Sequence, residues 1–425
     1  MLEGTDHNFV QASSIRNPGL FAVVFVHCFN YMNRLTNFEF IVIGCGSMGI
    51  ATCSFLATRG CNVLGIDQFT VPHESGSHAG QSRIIRKAYF EHPDYVPLLE
   101  RAYENWNVIE RESESRLYYE TGIAYFGKPD HPTMAGVKNS AQQFQIPVAK
   151  LSSTETQRRF SAFDIPSEFE TLFEPEAGFI TPERSIHVYR DHALKNGAAI
   201  HENENVVSWK KIGSTIFVTT DKAEYTCSKL IITAGAWTSK VLPQLRSELH
   251  VTRQVLGWFN PKDPDLFTLQ NFPCWFIQDP ERGMFYGFPL LPFETFGGPI
   301  GLKVASHTPG LISDPDRVDR NVQQSEIDNL KYVLAKYLPV AGNETITTKT
   351  CLYTYSPDEN FIIDHLPEYD KQITIACGFS GHGFKFVPVI GEILADLAIQ
   401  GKTNLPIEFL SLKRFHSTKA FSPDA

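Results

Sequence analysis

FEFIVIGCGSMGIATCSFLATRGCNVLGID, residues 38–67, is the stretch from which the rest of the chain is read. Phe40 to Ile43 is an apolar, largely β-branched run suited to a strand buried on both faces. It breaks into Gly44-Cys45-Gly46-Ser47-Met48-Gly49, and a helical pattern follows through Phe55 and Leu56 to Gly60. Val63 to Ile66 is a second apolar run, ending on Asp67. Gly44 permits the tight turn, Gly46 lets backbone approach a pyrophosphate, and Gly49 lets helix and strand pack closely. Ser47 and Met48 stand at the helix N-terminus, whose unpaired N–H groups favour phosphate. Asp67 lies about 20 residues past the first glycine, where a carboxylate can take a ribose hydroxyl. Strand, glycine turn, helix, strand and acid together predict a dinucleotide site. A glycine turn in an ordinary β-α-β unit would not require the three glycines and the acid at these spacings.

Outward from this unit the chain is a globular one. It has 425 residues, 42% hydrophobic and 20% charged, enough for two or three domains with ample core. The net charge of −9 gives no nucleic-acid footprint, and no lysine-rich run marks a membrane surface. Eight scattered cysteines without a CxxC pair speak against zinc and against a disulfide framework, and no metal ligands are expected. A reducing compartment, the cytoplasm, is expected. The final Ser422-Pro423-Asp424-Ala425 is not a peroxisomal address. Residues 1–37 read as a poorly ordered extension. Its apolar stretch, Gly19 to Met32, is short for a bilayer span and carries His27 and Asn30.

After Asp67, the loop Gly76 to Ser82 hands over to Arg83 and Arg86, which three-residue spacing predicts on one face of a helical turn. Two surface arginines are the plain alternative. Their place after a glycine loop beside the nucleotide unit favours a site. A helix is expected over 91–112 and strands over 117–126. Thr181-Pro182-Glu183 is expected to open a helix, with threonine as cap and proline first inside. Leu230 to Trp237 reads as a buried strand running into a small-residue turn. RQVLGWF (253–259), CWFIQ (274–278), MFYGFP (284–289) and IGLKVASH (300–307) suggest an antiparallel sheet. A helix over 326–337 and further strands lead to Gly378 through Phe386, and a last helix runs from Val389 to Ile399. The expected fold is α/β: a Rossmann-type dinucleotide domain (38–115, 178–250 and 340–415) interleaved with a mixed or antiparallel-sheet substrate domain (116–177 and 251–339), with 416–425 as a tail.

GCGSMG, GSHAGQSRIIR, TAGAW, YGFP followed by GLKVASH, CLYT with DENFIID, and GFSGHGFKF occur in this order. In these stretches the chain resembles the family of monomeric sarcosine oxidase, N-methyl-tryptophan oxidase and pipecolate oxidase, from Phe38 to about Phe415. The resemblance implies FAD, attached covalently through Cys351, and oxidation of a secondary amino acid by dioxygen, with hydrogen peroxide as product. It implies a carboxylate clamp made by Arg86 and Lys385, and Lys303 as the oxygen-activating cation. Arg83 and His307 would stand around flavin and amine, Tyr286 and Tyr353 would line the pocket, and Gly381, His382 and Gly383 would meet the flavin ring. It further implies a monomer whose partners are a small amino acid and O2, with neither nucleic acid nor membrane. Two departures stand out: Cys53 where the family has alanine, and a longer loop at 290–296 beside the expected pocket. Alternatives are N-methyl-tryptophan, pipecolate or proline as substrate, and a dehydrogenase that passes electrons to a carrier. A nucleotide-binding protein without catalysis would leave Cys351, Lys303, Arg86 and Lys385 as coincidences. A folate-using transfer enzyme would need an additional domain.

Overall fold

A computed structural model describes residues 36–415, so the reading of the N-terminal extension and of the tail falls almost wholly outside the described residues. The strand Thr36–Ile43 is central to an eight-stranded sheet. Val63–Ile66 runs parallel on one side of it, with Ala199–His201 beyond. Glu224–Ile232 runs parallel on the other side, and Ile373–Cys377 parallel to its last residues. Val206–Ile212 and Thr215–Thr220 extend the sheet as an antiparallel ribbon, and Ile362–His365 pairs antiparallel with Ile373–Cys377. Ile41, Val42 and Leu64 are fully buried, as a parallel sheet covered on both faces requires. The helix Ser47–Thr58 packs on Pro182–Lys195 and Val387–Gln400, so most of its residues are buried rather than one stripe. Cys53 sits in that core, and its small size keeps the packing.

The second sheet has nine strands. His250–Asn260 pairs antiparallel with Leu302–Ser306 and with Glu344–Tyr355. Leu302–Ser306 continues to Gly283–Gly287 and Cys274–Asp279, also antiparallel, and Cys274–Asp279 lies parallel to Ile123–Gly127. Glu344–Tyr355, grouped above with the dinucleotide segments, therefore belongs to the second sheet, and it carries Cys351 there. The helix Gln324–Tyr337 closes one face through Leu330, Val333 and Leu334.

A short three-stranded sheet of Arg83–Ile85, Gly178–Ile180 and Tyr118–Glu120 lies apart from these two. It corrects the helical turn expected at 83–86. Arg83 and Arg86 leave an extended segment, where residues three apart point to opposite faces. Pro182 opens its helix as expected, but the Thr181 hydroxyl does not cap it and instead donates to the Leu117 carbonyl at 3.3 Å. Among the described residues no helix is long and apolar enough to cross a membrane.

Candidate active site

The glycine turn behaves as two crowded positions around an open one. Gly44 has φ +89°, and a Cβ there would lie 2.7 Å from the Thr233 carbonyl oxygen. A Cβ on Gly49 would lie 1.9 Å from the Gly44 carbonyl oxygen, whereas one on Gly46 would meet nothing within 4 Å. Gly46 opens instead onto a cavity of about 770 Å³, which Ser47, Met48 and Asp67 also line. The two Asp67 oxygens accept the Cys45 N–H at 2.8 Å and the Phe69 N–H at 2.9 Å. The acid thus braces the turn itself, and burial pushes its carboxyl up to about 6. Lone pairs beyond those two bonds remain for a ribose hydroxyl.

The same cavity is lined by the turn Thr233 to Trp237 and by Arg83, Tyr353, Gly381 and Gly383. One continuous space therefore joins the nucleotide turn to residues read as flavin neighbours. His78 lines it too, with its Nε2 buried and unpartnered. A cavity of this size, a glycine cradle, a helix N-terminus and an orphaned polar atom fit a dinucleotide such as FAD. Lys303, Cys351, Arg86, Lys385, His307, His382 and Tyr286 are not on its walls; they stand behind Arg83, Tyr353 and the Gly381 loop in two clusters.

The first cluster gathers Lys303, Arg83 and Cys351. Lys303 is 2% exposed, the reverse of a strand lysine reaching solvent. Its ammonium donates to the Gly80 carbonyl at 2.5 Å, the Ser82 carbonyl at 2.7 Å and the Ser82 hydroxyl at 3.2 Å. Burial, and then Arg83, hold its pKa well below the usual lysine range. Arg83 donates to the Ser77 carbonyl at 2.8 Å and the Ala79 carbonyl at 2.6 Å, which folds the loop around it. Glu183 fixes that loop from the Pro182–Lys195 helix, accepting the Gly80 N–H at 2.7 Å and the Gln81 N–H at 3.1 Å. Burial pushes the Cys351 thiol up, and the charges of Arg83 and Lys303 oppose it.

The second cluster gathers Arg86, Lys385, His307 and His382. Arg86 is 1% exposed and sends one nitrogen to both oxygens of Glu91 at 2.7 Å. Its guanidinium lies 3.9 Å from the Phe90 ring centroid and 4.3 Å from that of Tyr89. Despite burial, Arg86 draws the Glu91 carboxyl down to about 2. Lys385 donates to the His382 carbonyl at 2.6 Å, and burial with the charge of Arg86 lowers its pKa to about 7. Burial lowers His307 to about 4, so its imidazole is neutral near pH 7. Tyr286 and Tyr353 join the clusters, their hydroxyl oxygens 3.3 Å apart and their ring centroids 6.1 Å and 5.8 Å from that of His307.

The loop at 290–296 does not close on these residues. Phe296 packs on Tyr119 at 4.8 Å and Phe179 at 5.7 Å, while the Gln81 amide donates to the Gly297 carbonyl at 2.6 Å. The loop is thereby tied to the segment that carries Lys303's acceptors. Sequence reading missed Glu91, Tyr89, Ser82 and Glu183. Glu183 was visible only as part of a helix start, and Glu91 only as an acid five residues past Arg86.

The family described as DAO, FAD dependent oxidoreductase, matches residues 39–397. A monomeric sarcosine oxidase of Streptomyces avermitilis is 36% identical over 384 residues, covering 90% of this chain and 99% of its own. An N-methyl-L-tryptophan oxidase of Yersinia pestis is 31% identical over 381 residues, covering 89% of this chain and 100% of its own. The solved structure of NikD, an unusual amino acid oxidase essential for nikkomycin biosynthesis, superposes in its open form with a TM-score of 0.78 at 25% identity, over 88% of this chain and 97% of its own. A glycine-cradled cavity that extends to Arg83 and Tyr353, in a chain alike over nearly its full described length, places this protein in the FAD dependent oxidoreductase family, alongside monomeric sarcosine oxidase and N-methyl-L-tryptophan oxidase.

Proposed function

We propose that the protein oxidises the C–H beside the nitrogen of a secondary, N-methyl amino acid such as sarcosine. The observation that carries this reading is that Arg86 and Lys385, both buried, lie against the same Tyr89 ring, with a neutral His307 in the same cluster. Glu91 gives this pair of cations one carboxylate, and a substrate carboxylate would bring two further oxygens. FAD, which the Gly46 turn and Asp67 would hold, would supply the two-electron acceptor that dioxygen reoxidises, the balance being R–NH–CH3, O2 and H2O to R–NH2, formaldehyde and H2O2.

The chain's own part is to bind, orient and tune. Arg86 offers a planar fork and Lys385 a point charge, which together fix the substrate's carboxylate end. Glu91 occupies Arg86 until that carboxylate competes for it. His307 and the Tyr286–Tyr353 pair face the amine, and a neutral imidazole there adds no positive charge against it. Lys303 holds positive charge beside the loop at Gly80 and Ser82, where developing negative charge on oxygen is stabilised in a site closed to water. Cys351, beside Arg83, is the residue through which the flavin is attached; a neighbouring cation favours the thiolate such a bond requires. Gly381 and Gly383 complete the flavin-facing side, and His382 stands behind them with its ring on Tyr89.

The test is to purify the protein, offer sarcosine, N-methyl-tryptophan, pipecolate and proline in turn, and record flavin bleaching without oxygen and peroxide release with it. Bleaching with an N-methyl amino acid and stoichiometric peroxide supports the reading. Bleaching without peroxide would move the protein to a dehydrogenase using another acceptor. No bleaching with any of the four would overturn the substrate class.

A further inference from the structure

Tyr89 touches every group of the proposed clamp. It is fully buried, with its hydroxyl 2.5 Å from His382 Nδ1. The other ring nitrogen of His382, Nε2, lies 3.0 Å from the Glu359 carbonyl oxygen. A carbonyl can only accept, so Nε2 carries the proton, Nδ1 is the acceptor, and the Tyr89 hydroxyl donates. Burial keeps both partners neutral, pushing the phenol well above its usual range and the imidazole down to about 3. The Tyr89 ring lies 4.3 Å from the Arg86 guanidinium carbon and 5.2 Å from Lys385 Nζ. Its backbone carbonyl is pinned by the Ser140 hydroxyl at 2.5 Å, and its ring is packed edge-on by Phe386 at 5.4 Å.

We propose that Tyr89 is the positioning residue of the clamp: its ring seats Arg86 and Lys385, and its hydroxyl locks the ring of His382, the residue whose carbonyl holds Lys385. Two like charges in a water-poor site repel each other and lose solvation. The ring that both lie against offsets part of that loss without adding a second carboxylate to the one Glu91 already brings to Arg86. The hydroxyl acts on the same cation by another route. It fixes the His382 ring and the Gly381–Gly383 loop, and so the direction in which the His382 carbonyl aims the Lys385 ammonium. This inference rests on the clamp reading given above, and it extends that reading to a residue that need not touch the substrate.

The holoenzyme is titrated with acetate, which has a carboxylate but no amine, and the dissociation constant is read from flavin absorbance. KM is measured in parallel for sarcosine and for N-methylbenzylamine, which has an amine but no carboxylate. Tyr89→Leu weakens acetate binding and raises the sarcosine KM by roughly tenfold or more, leaving the N-methylbenzylamine KM unchanged. Tyr89→Phe restores most of the acetate affinity, because the ring is kept. In [15N]histidine spectra it shifts the His382 Nδ1 signal, because the donor is lost. Equal loss on both amines in Tyr89→Leu, or acetate binding as in the wild type, overturns the role of the ring. If Tyr89→Leu does not fold, Tyr89→Phe still decides the hydroxyl: an unmoved Nδ1 signal overturns the lock. A wild type that binds no acetate removes the clamp and this inference together. A wild type that binds acetate but oxidises no N-methyl amino acid overturns the substrate reading and leaves the clamp, with Tyr89's role in it, open to the same titration.

Discussion

Lys303 reaches from the second sheet to the Ser82 carbonyl oxygen, 2.7 Å from its ammonium, and so ties the sheet to the loop that follows the dinucleotide unit. The bond holds a cation in a place where almost no water can screen it, since Lys303 is 2% exposed. Lys303→Met keeps the length of the side chain and removes the charge. Oxidation of the reduced holoenzyme by oxygen is expected to slow by about 100-fold or more, the scale seen when one charge-stabilising donor is lost. Reduction by substrate should change far less. Stopped-flow measurement of the two half-reactions separates them, and equal slowing of both would refute an oxygen-side role.

Cys351 stands between opposing influences, burial raising its pKa and the charges of Arg83 and Lys303 lowering it. Burial is the larger, so thiolate forms more readily as pH rises. Flavin attachment to apoprotein is therefore expected to accelerate with pH. Cys351→Ala should release its flavin into the supernatant on acid precipitation, while the wild type keeps the colour with the polypeptide. Colour retained by the variant would show that another residue carries the bond.

Lys385, lowered to about 7, gives the clamp a pH dependence of defined sign. Below that value the side chain is charged and adds to Arg86; above it the charge is lost. Acetate binding should therefore weaken as pH rises through about 7. Arg86 stays charged throughout, its pKa raised by Glu91 against the effect of burial. Lys385→Met should bind acetate weakly at all pH values and show no such transition. A titration curve of the same shape in that variant would assign the transition to another group.

Gly46 and Gly49 should respond differently to the same small change. Alanine at Gly49 would press a methyl to within 1.9 Å of the Gly44 carbonyl oxygen, so Gly49→Ala should lose soluble, folded protein. At Gly46 the added methyl meets no protein atom within 4 Å and projects where a pyrophosphate would lie. Gly46→Ala is expected to keep its circular dichroism and melting temperature as apoprotein and to purify with little flavin. Full flavin content in Gly46→Ala would place the phosphates elsewhere.

What depends on near neighbours was legible in the chain before any fold. Gly44, Gly46, Gly49 and Asp67 state their work through spacing, because a turn, a helix start and an adjacent strand end are all set within about 30 residues. The long apolar runs were legible as strands for the same reason, and the ordered motifs from GCGSMG to GFSGHGFKF supplied the candidate residues. Tertiary structure decided who faces whom. Arg83 and Arg86, read as one face, part into different clusters because their segment is extended and pairs with Gly178–Ile180. The strand that carries Cys351 joins the second sheet because His250–Asn260 offers a long antiparallel edge. Lys303 is buried only because carbonyls more than 200 residues earlier in the chain turn toward it. Tyr89, Glu91 and Glu183 carry no motif of their own. What they do follows from charges that must be paired once burial removes water, and no local spacing encodes that need.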